Sequence, residues 1–279
     1  MSEISANYQT STMATKTRPI RRSRQKYLPG RLSMALMQIG LLIILLLFWY
    51  GLVESAILPK FFFGDPIGVF RQIVSWFVTG EIFRHLAVTL TETILAFIFG
   101  VVSGIAAGLW LGLSPLAARL TDPYIKALNA MPRVILGPIF IVWFGLGIWS
   151  KVALGVTLVF FVVFFNVFQG VREVSPVILA NAKMLGANRR QLLTTVYIPS
   201  ALSWVFSSLH MSVGMAFVGA VVGEYLGSAS GVGYLILQAE ATFDVNAVFA
   251  GIIILTAFAL VLDAAVTLIE TRVTVGRPK

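Results

Sequence analysis

Leu41-Leu-Ile-Ile-Leu-Leu-Leu-Phe-Trp-Tyr50 is an unbroken apolar run inside a stretch, about Leu36 to Leu58, in which Glu54 is the only charge. A helix rises 1.5 Å per residue, so ~20 apolar residues cross the ~30 Å hydrocarbon layer of a bilayer. The same character returns at about Leu86 to Leu113, Pro123 to Leu146, Val152 to Gly170, Ala201 to Leu226 and Ala247 to Ile269. In lipid every backbone N–H and C=O needs an internal partner, which a helix supplies. The pattern therefore predicts an all-α membrane protein with six transmembrane helices, or five if the third is broken and re-entrant.

Composition supports this. Only 12% of residues are charged and 58% are hydrophobic, against ~25% charged in a soluble domain. Such a chain has too little polar surface to face water on all sides. The net charge of +9 would suggest nucleic acid in a soluble protein; here many of the positive charges sit between the spans. With the N-terminus inside, the inner segments carry seven, one, four and three Lys/Arg. The outer ones carry Lys60, Arg71 and Arg84, then Lys151, then none. That asymmetry favours both termini inside and an even number of spans. The chain has no cysteine, and His85 and His210 are its two histidines, which removes thiol chemistry and leaves no metal-ligand cluster.

The expected organisation is a disordered basic cytoplasmic tail over 1–31 and a first span with an outer amphipathic segment over 32–85. The core follows over 86–270, with an inner loop at 171–199, and then a basic tail over 271–279. The basic N-terminal stretch reads as an anchoring tail; no small-residue cleavage site follows the apolar run, so it does not read as a cleaved signal. Pro66 to Arg84 reads as a helix on the outer surface or a re-entrant piece.

Within the spans four features stand out. Gly100, Gly104, Gly108 and Gly112 repeat every four residues, giving one helix face without side chains on which another helix can pack closely. Pro132 and Pro138 break the third span, and Arg133 beside them points to a cavity or to snorkelling toward the inner surface. Glu92, His210, Glu224 and Asp263 are ionisable residues at membrane depth and so are site candidates. Glu92 and Asp263 also suit interhelical hydrogen bonds, Glu224 also suits an interfacial position, and His210 has Glu92 or Asp263 as possible partners. In the inner loop, Ser175 and Pro176 open a short helix as cap and first-turn proline, Gly186 ends it, and a second helix starts near Asn188 and runs to Pro199.

That loop carries a resemblance. Ala180-Asn-Ala-Lys-Met-Leu-Gly-Ala-Asn-Arg-Arg190, followed by Val196-Tyr-Ile-Pro199, resembles the EAA loop of ABC-transporter permeases. Ala182, Gly186 and Pro199 match that pattern, while Ala180 stands where it has Glu and Asn181 where it has its first Ala. Met131-Pro-Arg-Val-Ile-Leu-Gly-Pro-Ile-Phe-Ile-Val-Trp-Phe-Gly-Leu-Gly147 and Gly223-Glu-Tyr-Leu-Gly-Ser-Ala-Ser-Gly-Val-Gly-Tyr-Leu-Ile236 are similar to segments of the nitrate/sulfonate/taurine/bicarbonate branch. The resemblance implies a binding-protein-dependent type I importer permease of MetI-like fold, taking a small anionic solute from periplasm to cytoplasm by alternating access. It implies a second permease copy, two cytoplasmic ATP-binding subunits that hold ATP and Mg, and a periplasmic substrate-binding protein. No nucleic acid is implied, and no cofactor on this chain.

The chain has no Gly-x-x-x-x-Gly-Lys-Ser/Thr phosphate loop, so it is expected to be a permease rather than an enzyme, with the ATPase on another chain. The coupling residues implied are Ala180, Asn181, Ala182, Lys183, Met184, Leu185, Gly186, Ala187, Asn188 and Arg189, with Met184 and Leu185 as apolar knobs and Lys183 and Arg189 as charge contacts. Candidates for the translocation path are Pro132, Arg133, Pro138, Ser207, Ser208, His210, Ser212 and Glu224. The alternative, an ion-driven secondary transporter, needs matching broken helices in inverted repeats, and the sequence shows no clear pair.

Overall fold

A computed structural model describes residues 30–274, so 1–29 of the expected tail over 1–31, and 275–279 of that over 271–279, lie outside the described residues. The chain divides into two units, residues 1–47 and 48–279. The first helix, α1 (Arg31–Glu54), runs through that boundary and is apolar on all sides, as a span surrounded by lipid or protein must be.

In the second unit a short helix α2 (Lys60–Phe63) leads into α3 (Pro66–Thr79). Asp65 caps α3 by accepting from Gly68 N–H at 2.7 Å, and Pro66 sits at its first turn, where no N–H is needed. Gly80, at φ +78°, turns the chain through the left-handed region and starts α4 (Glu81–Leu113) five residues earlier than the apolar pattern suggested. Val69 and Trp76 on α3 are buried with Ala247, Ala250 and Ile254 of the last helix. The segment thus packs on a helix face as well as being amphipathic, and Asp65 N–H donates to Asn246 Oδ1 at 2.9 Å to pin it there.

The third span departs from the expected Pro123 to Leu146. The polar residues between the second and third apolar stretches, 114–122, are not a simple turn: α5 runs Pro115–Ala130. A 3-10 turn (Arg133–Leu136) and α6 (Gly137–Phe144) follow at 87° to it. Met131 and Pro132 are both extended, at ψ 133° and 102°; for Met131 the cause is Pro132, since proline disfavours helical backbone in the residue before it. At 1.5 Å per residue neither half reaches across ~30 Å of hydrocarbon alone. The described residues hold five continuous helices long and apolar enough to span, or six counting this bent pair.

The remaining elements are α7 (Ile148–Arg172), α8 (Pro176–Met184), α9 (Arg189–Leu192), a π turn (Leu193–Tyr197), α10 (Ile198–Leu226), α11 (Val232–Ala241) and α12 (Val245–Thr274). The π turn has a local cause. The ring of Pro199 would crowd the carbonyl four residues back, at Thr195, and the chain widens so that Ile198 N–H bonds to Leu193 O instead.

Two apolar cores form. One joins Val69, Trp76, Ile82, Leu235, Ala250 and Ile254. The other joins Ala96, Val159, Val163, Val167, Ala201, Val205 and Ala216. The glycine face of α4 builds the second. A β-carbon on Gly100, Gly104, Gly108 or Gly112 would stand 2.5, 2.9, 2.7 or 2.8 Å from the β-carbons of Val159, Val163, Val167 and Val171 of α7. Two four-residue rows mesh, and the absent side chains let the two helices approach closely.

Candidate functional site

The loop between α7 and α10 forms a hairpin closed by local backbone and capping hydrogen bonds. Helix α8 ends in a left-handed Gly186 at φ +83°. Ala187 N–H bonds to Ala182 O at 3.0 Å and Gly186 N–H to Lys183 O at 2.9 Å, the paired bonds of a Schellman C-cap. Asn188 opens α9 with a capping box: its side chain accepts from Gln191 N–H at 2.9 Å, while Gln191 Oε1 accepts from Asn188 N–H at 2.8 Å. Ser175, expected to cap α8, makes no side-chain cap bond; Pro176 alone marks that start. With the backbone closed at both ends of the turn, the side chains at its tip are free to protrude. Met184 and Leu185 are 85% and 89% exposed, two apolar side chains on a projection with no cover from this chain.

A second constellation is buried between the two cores. Glu224 is wholly inaccessible, not interfacial. Its Oε1 accepts from Thr89 Oγ1 at 2.7 Å and its Oε2 from Gly233 N–H at 2.7 Å. Thr89 Oγ1 in turn accepts from Val232 N–H at 3.1 Å, and His85 Nδ1 lies 3.0 Å from Gly231 N and from Gly231 O. Two helices, α4 and α10, thereby hold the loop that leads into α11. Glu92, 1% exposed, meets Glu224 through its carboxyl group, and its Oε2 has no hydrogen-bond partner.

Lys151, placed by the sequence in an outer loop, is fully buried in the first turn of α7. Its Nζ donates to Leu146 O at 2.6 Å and Gly147 O at 3.0 Å, within the electrostatic reach of both carboxyl groups. A cation at a helix N-terminus opposes the helix dipole, and the two buried acids and the carbonyls offset that. Gly223 leaves the room it fills: a β-carbon there would stand 2.9 Å from Lys151 Cγ. A lysine directly ahead of a long apolar run was the available signal, but His85, Thr89 and Lys151 were not singled out by sequence.

The other expected residues separate. His210 Nε2 pairs with Asp263 Oδ1 at 2.6 Å, with side chains 42% and 61% exposed, on the wall of a 300 Å³ cavity between α10 and α12. Ser208 and Ser212 are buried on another face of α10, donating to Val205 O and Ser208 O, both at 2.8 Å; the side chain of Ser207 is outside the described set. Pro132 and Pro138 are exposed at the bent pair, and the Arg133 guanidinium lies 4.6 Å from the Phe161 ring centre, a cation–π contact.

Comparison with known proteins shows the family. Residues 100–275 match the family described as binding-protein-dependent transport system inner membrane component. The chain is 33% identical over 222 residues to the putative aliphatic sulfonates transport permease protein SsuC of Bacillus subtilis, covering 80% of this chain and 79% of that one. It is 28% identical over 243 residues to the taurine transport system permease protein TauC of Escherichia coli, covering 85% and 88%. Among solved structures the inward-facing MetNI methionine ABC transporter superposes with a TM-score of 0.59 at 18% identity, over 68% of this chain and 95% of that one.

Proposed function

The chain belongs to the binding-protein-dependent transport system inner membrane components, and from that premise we propose how it is assembled, powered and loaded. It is a multi-pass permease subunit of an ATP-driven importer, with the type I permease fold. In the proposed assembly two copies form the pathway, two separate ATPase subunits hold ATP and Mg on the cytoplasmic side, and a periplasmic binding protein delivers the solute. Both termini and the α8–α9 hairpin lie in the cytoplasm, a reading supported by the excess of Lys/Arg in those segments.

The observation that carries the reading is the hairpin itself. Residues 180–189 present Met184 and Leu185 from a turn whose backbone is fixed by Gly186 and the Asn188 capping box. A stiff projection transmits displacement; a floppy one absorbs it. When the ATPase subunits close on ATP, the hairpin moves with them. The meshed α4–α7 pair follows as one body, and the pathway opens outward. The path is placed along the bent pair with Pro132, Arg133 and Pro138 and along α10 at Ser207 and His210, while Ser208, Ser212 and Glu224, buried within this subunit, hold its helices in place. The solute class is a small sulfonate-like anion, supported by the similarity of the chain to the aliphatic sulfonates and taurine permeases.

The test is purification in mild detergent of the tagged chain from cells that also make the associated ATPase, followed by reconstitution with the binding protein. Co-purification of an ATPase of separate sequence, and ATP-dependent uptake of taurine or an alkanesulfonate, is the expected result. Uptake driven by an ion gradient with no ATPase present overturns it.

A further inference from the structure

Beside the hairpin lies a groove of about 790 Å³, within the ~300–1,000 Å³ of ordinary ligand pockets. Lys183, Arg189 and Arg190 line it, together with Tyr197, Leu113 and Leu193, and among the described residues no Asp or Glu does. None of the three cations has an ion-pair partner among the described residues. The walls are of two kinds. The cations come from the hairpin, while Leu113 is the last residue of α4 and Leu193 and Tyr197 belong to the π turn that leads into α10. The groove therefore sits where two spanning helices meet the inner surface, if the hairpin is cytoplasmic, as the proposed orientation has it. Met184 and Leu185 are not among its walls, so the exposed tip and the basic groove are separate surfaces.

We infer that this groove binds the headgroup of an anionic phospholipid of the inner leaflet, with the phosphate held by Lys183, Arg189 and Arg190 and the upper acyl chain against Leu113 and Leu193. Three cations without a counter-charge call for an anion, and arginine suits phosphate oxygens through its planar fork. The apolar wall distinguishes an amphiphile from free phosphate, which gains nothing from leucine. The apolar wall at the end of α4, away from the exposed Met184–Leu185 tip, favours lipid over the ATPase, so Lys183 and Arg189, which the resemblance gives as ATPase contacts, are assigned to the headgroup here. Basic pockets between membrane helices on the cytoplasmic side are a recognised mode of headgroup binding. The π turn serves this site by setting Leu193 and Tyr197 on its wall.

The experiment uses the full chain, purified without its ATPase and incorporated into nanodiscs of phosphatidylcholine alone or of phosphatidylcholine with phosphatidylglycerol. Native mass spectrometry then counts the lipid retained. The wild type is expected to retain phosphatidylglycerol and not phosphatidylcholine, and millimolar inorganic phosphate is not expected to displace it. Lys183→Gln/Arg189→Gln/Arg190→Gln is expected to retain it on the order of 100-fold more weakly, from the usual contribution of each basic residue at an anionic surface. Arg189→Lys/Arg190→Lys keeps the charge but not the fork and is expected to retain the lipid more weakly than the wild type and more strongly than the triple variant, which separates loss of binding from loss of folding. Unchanged phosphatidylglycerol retention in the triple variant overturns the inference, as does displacement by phosphate. A triple variant that keeps its lipid and no longer co-purifies the ATPase assigns the groove to that protein instead. None of these outcomes depends on whether the chain takes sulfonates.

Discussion

Thr89 Oγ1 donates to Glu224 Oε1 at 2.7 Å and accepts from Val232 N–H at 3.1 Å, so one hydroxyl ties α4, α10 and the start of α11 together across 135 residues of sequence. Thr89→Val keeps the shape and removes both bonds, leaving Val232 N–H buried without its partner. The expected loss is about 1–3 kcal/mol, read as a lower Tm in detergent. Thr89→Ser is expected to restore most of it, and an unchanged Tm in Thr89→Val would show that the hydroxyl ties nothing.

Gly104 has no room for a side chain. A β-carbon there would stand 2.9 Å from both Phe160 O and Val163 Cβ. Gly104→Ala is expected to cost about 1–3 kcal/mol by forcing α4 and α7 apart, and Gly104→Leu to abolish accumulation of folded protein. Adding Val163→Ala to Gly104→Ala removes Cγ1, 3.1 Å from the added β-carbon, but keeps Cβ, so it is expected to recover only a small part of the loss, checked by thermal unfolding as a double-mutant cycle. Simple additivity would mean that the two residues do not meet.

Gly186 differs in kind, since nothing lies within 4 Å of a β-carbon placed on it. Its requirement is the left-handed φ of +83° alone. Gly186→Ala is expected to cost about 1–2 kcal/mol of local backbone energy, with modestly reduced coupled uptake. Gly186→Pro fixes φ near −65° and removes the Schellman turn. It is expected to insert normally but to uncouple ATP hydrolysis from uptake in proteoliposomes; full coupled uptake would reject the hairpin's role.

His210 and Asp263 are paired at 2.6 Å between α10 and α12. A double-mutant cycle with His210→Ala and Asp263→Ala is expected to give a coupling energy of about 0.5–2 kcal/mol, because the pair is partly exposed in this chain. The readout is again thermal stability in detergent, and zero coupling would make the pair incidental.

Leu185 at the hairpin tip is 89% exposed, and the chain has no cysteine, so Leu185→Cys provides a single reporter. A membrane-impermeant maleimide is expected to label it in inverted vesicles and not in intact spheroplasts. The opposite pattern would place the hairpin in the periplasm and remove the proposed coupling.

Much of the hairpin was readable because caps are local. Gly186 as a C′ residue and Asn188 as a helix start follow from backbone rules that act within a few residues. The length of the spanning helices was readable because hydrocarbon thickness is fixed. The bent third span was legible only as a break at Pro132. Its helix from Pro115 to Ala130 was missed because a polar, charged segment beside a span looks like a turn when only hydropathy is weighed.

What the sequence alone determined is therefore what depends on near neighbours and on the solvent: the apolar spans, the glycine row on α4, the capped hairpin and the polar residues set at membrane depth. What only the tertiary structure decided is which of these meet. The α4 glycines take Val159 to Val171 as their partners. Glu224 is buried against Thr89 and Glu92 rather than facing the interface, and Lys151 is drawn from an apparent loop into the protein beside those acids. Helix periodicity fixes the face a residue occupies, but pairing across more than a hundred residues is set by how complementary helix surfaces pack and by the cost of leaving a polar group unpartnered away from water.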